Sequence, residues 1–168
     1  EDGLWTYWYE NGKKYPKIEY KNGKWTEWYG NDQKESETNW SDGKENGLTT
    51  RWYENGQKRI ETNWSDGKEN GLTTRWYEND QKESETNWSD GKENGLETGW
   101  YKNGQKNYEK TYKNGELDGL CNEWYENGKK RSQGNYKDGV EDGLWTEWYG
   151  NGQKKEERTY IDGKIEIW

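Results

Sequence analysis

The sequence predicts an all-β protein: an elongated, single-layer antiparallel β-meander of stacked hairpin repeats, each about 24 residues long. The first observation behind this is self-similarity. The nineteen residues 61–79 are repeated without change at 37–55, and their first eleven return at 85–95. A Trp-Tyr pair marks each unit at Trp8, Trp28, Trp52, Trp76, Trp100, Trp124 and Trp148, at a spacing of 24 after a first interval of 20. A fixed period of this length is the signature of a repeat array. The second observation is composition. Only 25% of residues are hydrophobic, yet the chain holds fourteen Trp and fourteen Tyr with no Phe or Met. Each packed aromatic buries roughly 150–250 Å², so the chain can fold without a thick aliphatic core. The third is turn chemistry. Asn-Gly between alternating segments marks hairpins, and no stretch holds a helical apolar period.

Within a unit, Leu48 to Tyr53 reads as one strand and Gln57 to Ser65 as the next. A three-residue loop, Glu54-Asn55-Gly56, ends in a left-handed residue with a bulge. Asp32 and Asp80 replace the glycine in two copies, and Asp tolerates that conformation better than most residues. Parity then places Leu48, Thr50, Trp52, Ile60, Thr62 and Trp64 on one face. Thr49, Arg51, Tyr53, Arg59, Glu61 and Asn63 fall on the other, with Trp5, Trp25 and Trp145 on this more polar side. The second connection, Asp66 to Gly71, reads as a longer polar loop with two glycines able to take positive φ. The second unit lacks the equivalent of Lys-Glu-Asn-Gly, so a local irregularity is expected near 21–27, with Pro16 on the preceding strand. The whole chain, 1–168, is one array of about seven units closing on a half unit, 159–168. There Ile161, Ile165 and Ile167 are placed to cap or pair the last edge. The chain begins inside a repeat, as a piece of a longer protein would.

Chemistry is sparse. With no His and one Cys, no Ser-His-Asp or Cys-His pair can form. Cys121 replaces Thr49 or Thr73 of other copies and reads as a divergent strand residue. The Asp66–Gly71 segment lacks the alternating acids and distal glutamate of a calcium loop. The acids repeat with the unit, whereas a catalytic pair should break the repeat. The expectation is a non-enzymatic protein with no cofactor and no metal. A net charge of −8 with interleaved signs disfavours nucleic acid, which needs a positive stripe, and anionic membranes. No apolar run approaches the ~20 residues of a membrane span.

The motifs Asn-Trp-Ser-Asp-Gly-Lys-Glu-Asn-Gly-Leu and Trp-Tyr-Glu-Asn-Gly-Gln-Lys resemble the MORN repeat, in the bacterial MORN_2 variant of YwqK-family antitoxin-like proteins. The resemblance covers essentially the whole chain, with Thr38, Thr62 and Thr86 where many members have Gly. It implies stacked hairpins and a role in protein interaction or scaffolding. For the compartment, the expectation is the bacterial cell envelope or a secreted location rather than the cytoplasm.

The expected structural aromatic row is Trp8, Trp28, Trp52, Trp64, Trp76, Trp88, Trp100, Trp124 and Trp148. The expected binding residues are Arg51, Tyr53, Arg75, Tyr77, Tyr101, Tyr125 and Tyr149, since Tyr mixed with Arg suits recognition. Another protein is the expected partner. The alternatives are a glycan or choline-type cell-wall ligand, held by aromatic cages, and an antitoxin or immunity role.

Overall fold

The computed structural model describes residues 3–5, 10 and 17–166. Trp8, Pro16 and Ile167 lie outside the described residues, as does the side chain of Trp5. Fifteen strands pair strictly in chain order into one antiparallel sheet, and no helix occurs among the described residues. The sheet opens with β1 (Gly3–Trp5), β2 (Ile18–Lys21) and β3 (Lys24–Trp28). Then come β4 (Lys34–Ser41), β5 (Lys44–Trp52), β6 (Lys58–Ser65), β7 (Lys68–Trp76), β8 (Lys82–Ser89) and β9 (Lys92–Trp100). It continues through β10 (Lys106–Lys113), β11 (Glu116–Trp124), β12 (Lys130–Lys137), β13 (Val140–Trp148) and β14 (Lys154–Ile161) to β15 (Lys164–Ile165).

The three-residue loop forms as its sequence predicts. Gly56 N–H donates to Tyr53 O and Tyr53 N–H to Gln57 O, both at 2.9 Å. Gly56 sits at φ 82°, and Asp32 and Asp80 hold the same place at 64°. The expected distribution of faces does not survive, however, because a second bulge lies beyond the loop. Trp52 pairs with Lys58, but Arg51 pairs with Ile60, so Arg59 is left over. One extra residue inverts the parity of everything after it. Ile60, Thr62 and Trp64 therefore share a face with Thr49 and Arg51, while Leu48, Thr50 and Trp52 lie with Glu61 and Asn63. The expected single row of tryptophans is two rows on opposite faces. Trp28, Trp52, Trp76, Trp100, Trp124 and Trp148 form one, and Trp64 and Trp88, with Trp40, belong to the other.

The second connection is not a long loop. Ser65 pairs with Lys68 around a two-residue Asp66-Gly67 turn, at φ 52° and 79°, which matches strand twist. Asn70, Gly71 and Leu72 bulge within β7 opposite the single Asn63, whose Nδ2 donates to Leu72 O at 2.8 Å. The region expected to be irregular is the regular one: β2 and β3 pair in continuous register from Ile18↔Glu27 to Lys21↔Lys24. The residues missing from the short unit are those that make the bulge elsewhere. At the far end Ile161 and Ile165 flank the last turn and are half-exposed.

With no second layer, the core is a thin strip on each face. Threonines lie side by side across β4 to β8 as Thr38, Thr49, Thr62, Thr73 and Thr86, with Thr73 fully buried at 0% exposure. On the opposite face Thr26, Thr50, Thr74, Thr98 and Thr146 are also buried. Short threonines are shielded because taller rows flank them, and β-branched pairs suit a pleated surface.

Candidate functional site

The two faces obey different rules. On the face of Trp52, each hairpin carries the same set. Trp28, Trp52, Trp76, Trp100, Trp124 and Trp148 each pair with a lysine, from Lys34 to Lys154. From Lys34 to Lys106 that lysine reaches over the next unit's indole, as Lys34 does over Trp52 and Lys58 over Trp76, both at 5.7 Å. It also pairs with a glutamate three residues on: Lys58–Glu61 at 2.6 Å and Lys82–Glu85 at 2.5 Å. One unit departs, and it departs in concert. Asn122 and its partner Gln133 replace Thr and Glu, and Lys130 donates to both, at 2.9 and 2.6 Å. Beyond the threonines, Leu48, Leu72, Leu96, Leu120 and Leu144 form a half-exposed row.

The other face varies along the array, most of all from Glu97 onward. The position of Arg51 and Arg75 becomes Gly99, Glu123 and Glu147 along the array, and that of Thr49 and Thr73 becomes Glu97, Cys121 and Trp145. Each change is accommodated locally. Tyr108 lies over Gly99, where a Cβ would come within 2.3 Å of its ring, and Trp145 lies over Gly134 in the same way, at 2.2 Å. Tyr108 donates to Glu97 at 3.0 Å; its own burial, then the Glu97 charge, pushes the phenol far above its ordinary range. Trp145 packs edge-on against Tyr136 at 5.2 Å and Tyr160 at 6.4 Å, in a cleft of about 380 Å³. Burial raises the Cys121 thiol pKa, which keeps it protonated and unreactive. Polar groups left unpaired also gather here: the Thr49 and Thr73 hydroxyls and the Trp64 and Trp88 indole N–H groups are buried without partners among the described residues.

Of the expected binding residues, Arg51 and Arg75 lie on this variable face, either side of Ile60. The tyrosines have another task. Tyr53, Tyr77, Tyr101 and Tyr125 donate to the backbone carbonyls of Trp76, Trp100, Trp124 and Trp148, at 2.7 to 2.9 Å. Asn31, Asn55, Asn79, Asn103 and Asn127 make a parallel set of bonds to the next loop. These bonds lock each unit to its successor. Tyr149, in the last unit, is 52% exposed. Tyr77→Phe should therefore destabilise the array by about 1 kcal/mol, the net worth of such a bond. Tyr149→Phe should change nothing. Thermal melts of the two variants side by side check this.

Sequence reasoning passed over Arg59 and Ile60 as recognition residues. A signal was present: residues 57–60 read Gln-Lys-Arg-Ile, where both flanking units read Gln-Lys-Glu-Ser.

The family model of the MORN repeat variant matches residues 1–22, 45–66, 93–114, 117–138 and 141–162, more than half of the chain. The chain belongs to the MORN repeat variant family. Each match after the first spans one three-residue loop ending in Asn-Gly, such as Glu54-Asn55-Gly56, with its two flanking strands, so the family pattern is the hairpin unit itself. No curated protein matches the chain. MORN repeats are in general modules of protein and membrane interaction and are typically non-enzymatic. No helix among the described residues is long and apolar enough to cross a membrane.

Proposed function

We propose that this protein is a non-enzymatic scaffold that binds another protein through its variable face. The observation that carries this reading is the contrast between the two faces. The Trp-Lys-Thr-Glu-Leu face repeats because every hairpin must dock on the next in the same way. The other face departs from the repeat at Arg59 and Ile60 and again in every unit from Glu97 onward, while the backbone stays the same, which is what a surface fitted to a particular partner requires. No cluster of metal-ligating side chains occurs among the described residues.

A photo-crosslinking residue in place of Trp40, exposed on the variable face, should trap a discrete partner in cells. The same residue in place of Leu72, on the repeating face, should not. Equal trapping from both positions, or trapping from Leu72 alone, overturns the assignment. A second reading, a glycan- or choline-type module, draws on the aromatic cleft of Tyr136, Trp145 and Tyr160. A saturable change of tryptophan fluorescence with choline or an oligosaccharide would favour it.

A further inference from the structure

We infer that the variable face carries an anion-recognition site between β5 and β7, fitted to an acidic segment of a protein partner; this rests on the reading of that face as the binding surface. The chain has only five arginines. Three of them, Arg51, Arg59 and Arg75, converge with Tyr53, Ile60 and Glu83 on one cavity of about 350 Å³. None of the three makes a side-chain hydrogen bond or ion pair among the described residues. The other two are engaged: Arg158 holds Glu156 through two bonds, at 2.7 and 2.6 Å, and Arg131 lies 3.8 Å from Glu123. Lysines on the repeating face are matched to glutamates in unit after unit. In a protein of net charge −8, three unpaired guanidinium groups in one place are a local reversal of sign.

Their arrangement follows from the register. Across adjacent strands the row runs Ser36, Arg51, Ile60, Arg75, Ser84, so two cations flank one apolar side chain. Strand spacing of about 4.8 Å sets Arg51 and Arg75 about 10 Å apart at the backbone. Arg59 is the leftover residue of the bulge, and its guanidinium stands 5.7 Å from the Tyr53 ring. Bulges re-aim side chains in this way. Glu69 and Glu93 lie close enough to feel Arg75, although burial raises both carboxyls and neither bonds it. The matching ligand is a segment with an apolar residue between carboxylates, held by charge-assisted fork contacts. The substitutions that create the site, Arg59 and Ile60, are with Gly56 the only differences between residues 37–60 and 61–84.

The test uses the whole chain and a fluorescein-labelled peptide of repeated Glu-Ser-Leu-Ser-Glu, followed by anisotropy. The wild-type protein should bind saturably, and binding should weaken steeply as salt rises. The double variant R59E with I60S restores the Gln-Lys-Glu-Ser of the flanking units, so it should melt as the wild type does. Its affinity for the peptide should fall at least tenfold. Undiminished binding by that variant, equal binding of a Gln-for-Glu peptide, or no binding by the wild type overturns the inference. Preference for vesicles containing phosphatidylserine would reassign the site to a membrane and overturns it too. A partner trapped from Trp40 without any affinity for the acidic peptide sinks this inference and leaves the proposed function standing; no trapping from Trp40 sinks both.

Discussion

Deletion of residues 61–84 should leave a folded protein, whereas deletion of 61–72 should unfold everything beyond the cut. The first removes one whole period of 24 residues and joins Ile60 to Glu85, recreating the Ile60-Glu61 junction of the parent. Strand direction, face and the locking bonds of Tyr53 and Asn55 to the next unit are all kept. Such an array is nearly a sum of units and neighbour contacts. The loss should be about 1 kcal/mol, a few degrees in melting temperature for a chain this size. The second deletion removes twelve residues and fuses the start of β6 to the end of β7. All later strands then run opposite to their equivalents before the cut, which puts their three-residue loops on the other edge of the sheet. Tyr53 no longer finds the carbonyl of Trp76, and Lys58 no longer stands over its indole. A loss of many degrees, with hydrogen-exchange protection kept only before residue 60, is the expected result. Similar melting of the two shortened chains would show that the structural unit is the single strand.

Much of this was legible in the sequence. The repeat period and turn residues carried the strand order, and the three-residue loop followed from glycine and aspartate at one left-handed position. The assignment of faces was not legible. A face assignment depends on counting residues between turns, and one unannounced bulge residue, Arg59, reverses it. Nothing in Lys58-Arg59-Ile60 announces a bulge, because the bulge serves the pairing of Trp52 with Lys58 rather than any local propensity. The same holds for Asn63, whose side chain fills the gap opposite Gly71. Both expected groups of site residues are therefore divided by the register. Arg51 and Arg75 lie on the variable face, while Tyr53 and Tyr77 hold successive units together. Separating a charged contact from a locking phenol needs the register, not the composition.

The units that break the repeat supply a sharper test of how the variable face is built. Restoring the repeat at one position, Gly134→Thr, should destabilise the protein by about 3 kcal/mol, at the upper end for an overpacked site, because the new Cβ would lie 2.2 Å from the Trp145 ring. Trp145→Thr alone should cost about as much. It removes the edge contacts with Tyr136 and Tyr160 and leaves Gly134 bare. The double variant places threonine at both positions, which is the arrangement Thr62 and Thr73 already hold, with Thr73 fully buried. It should recover most of the loss of either single change, a coupling of more than about 2 kcal/mol between residues in contact. Chemical denaturation of the four proteins measures this directly. Additive losses would mean that Gly134 and Trp145 diverged independently, and that the space over Gly134 is incidental to the indole. A recovered double variant that loses partner binding while keeping its stability would place Trp145 in the recognition surface, since the fold would then stand without it.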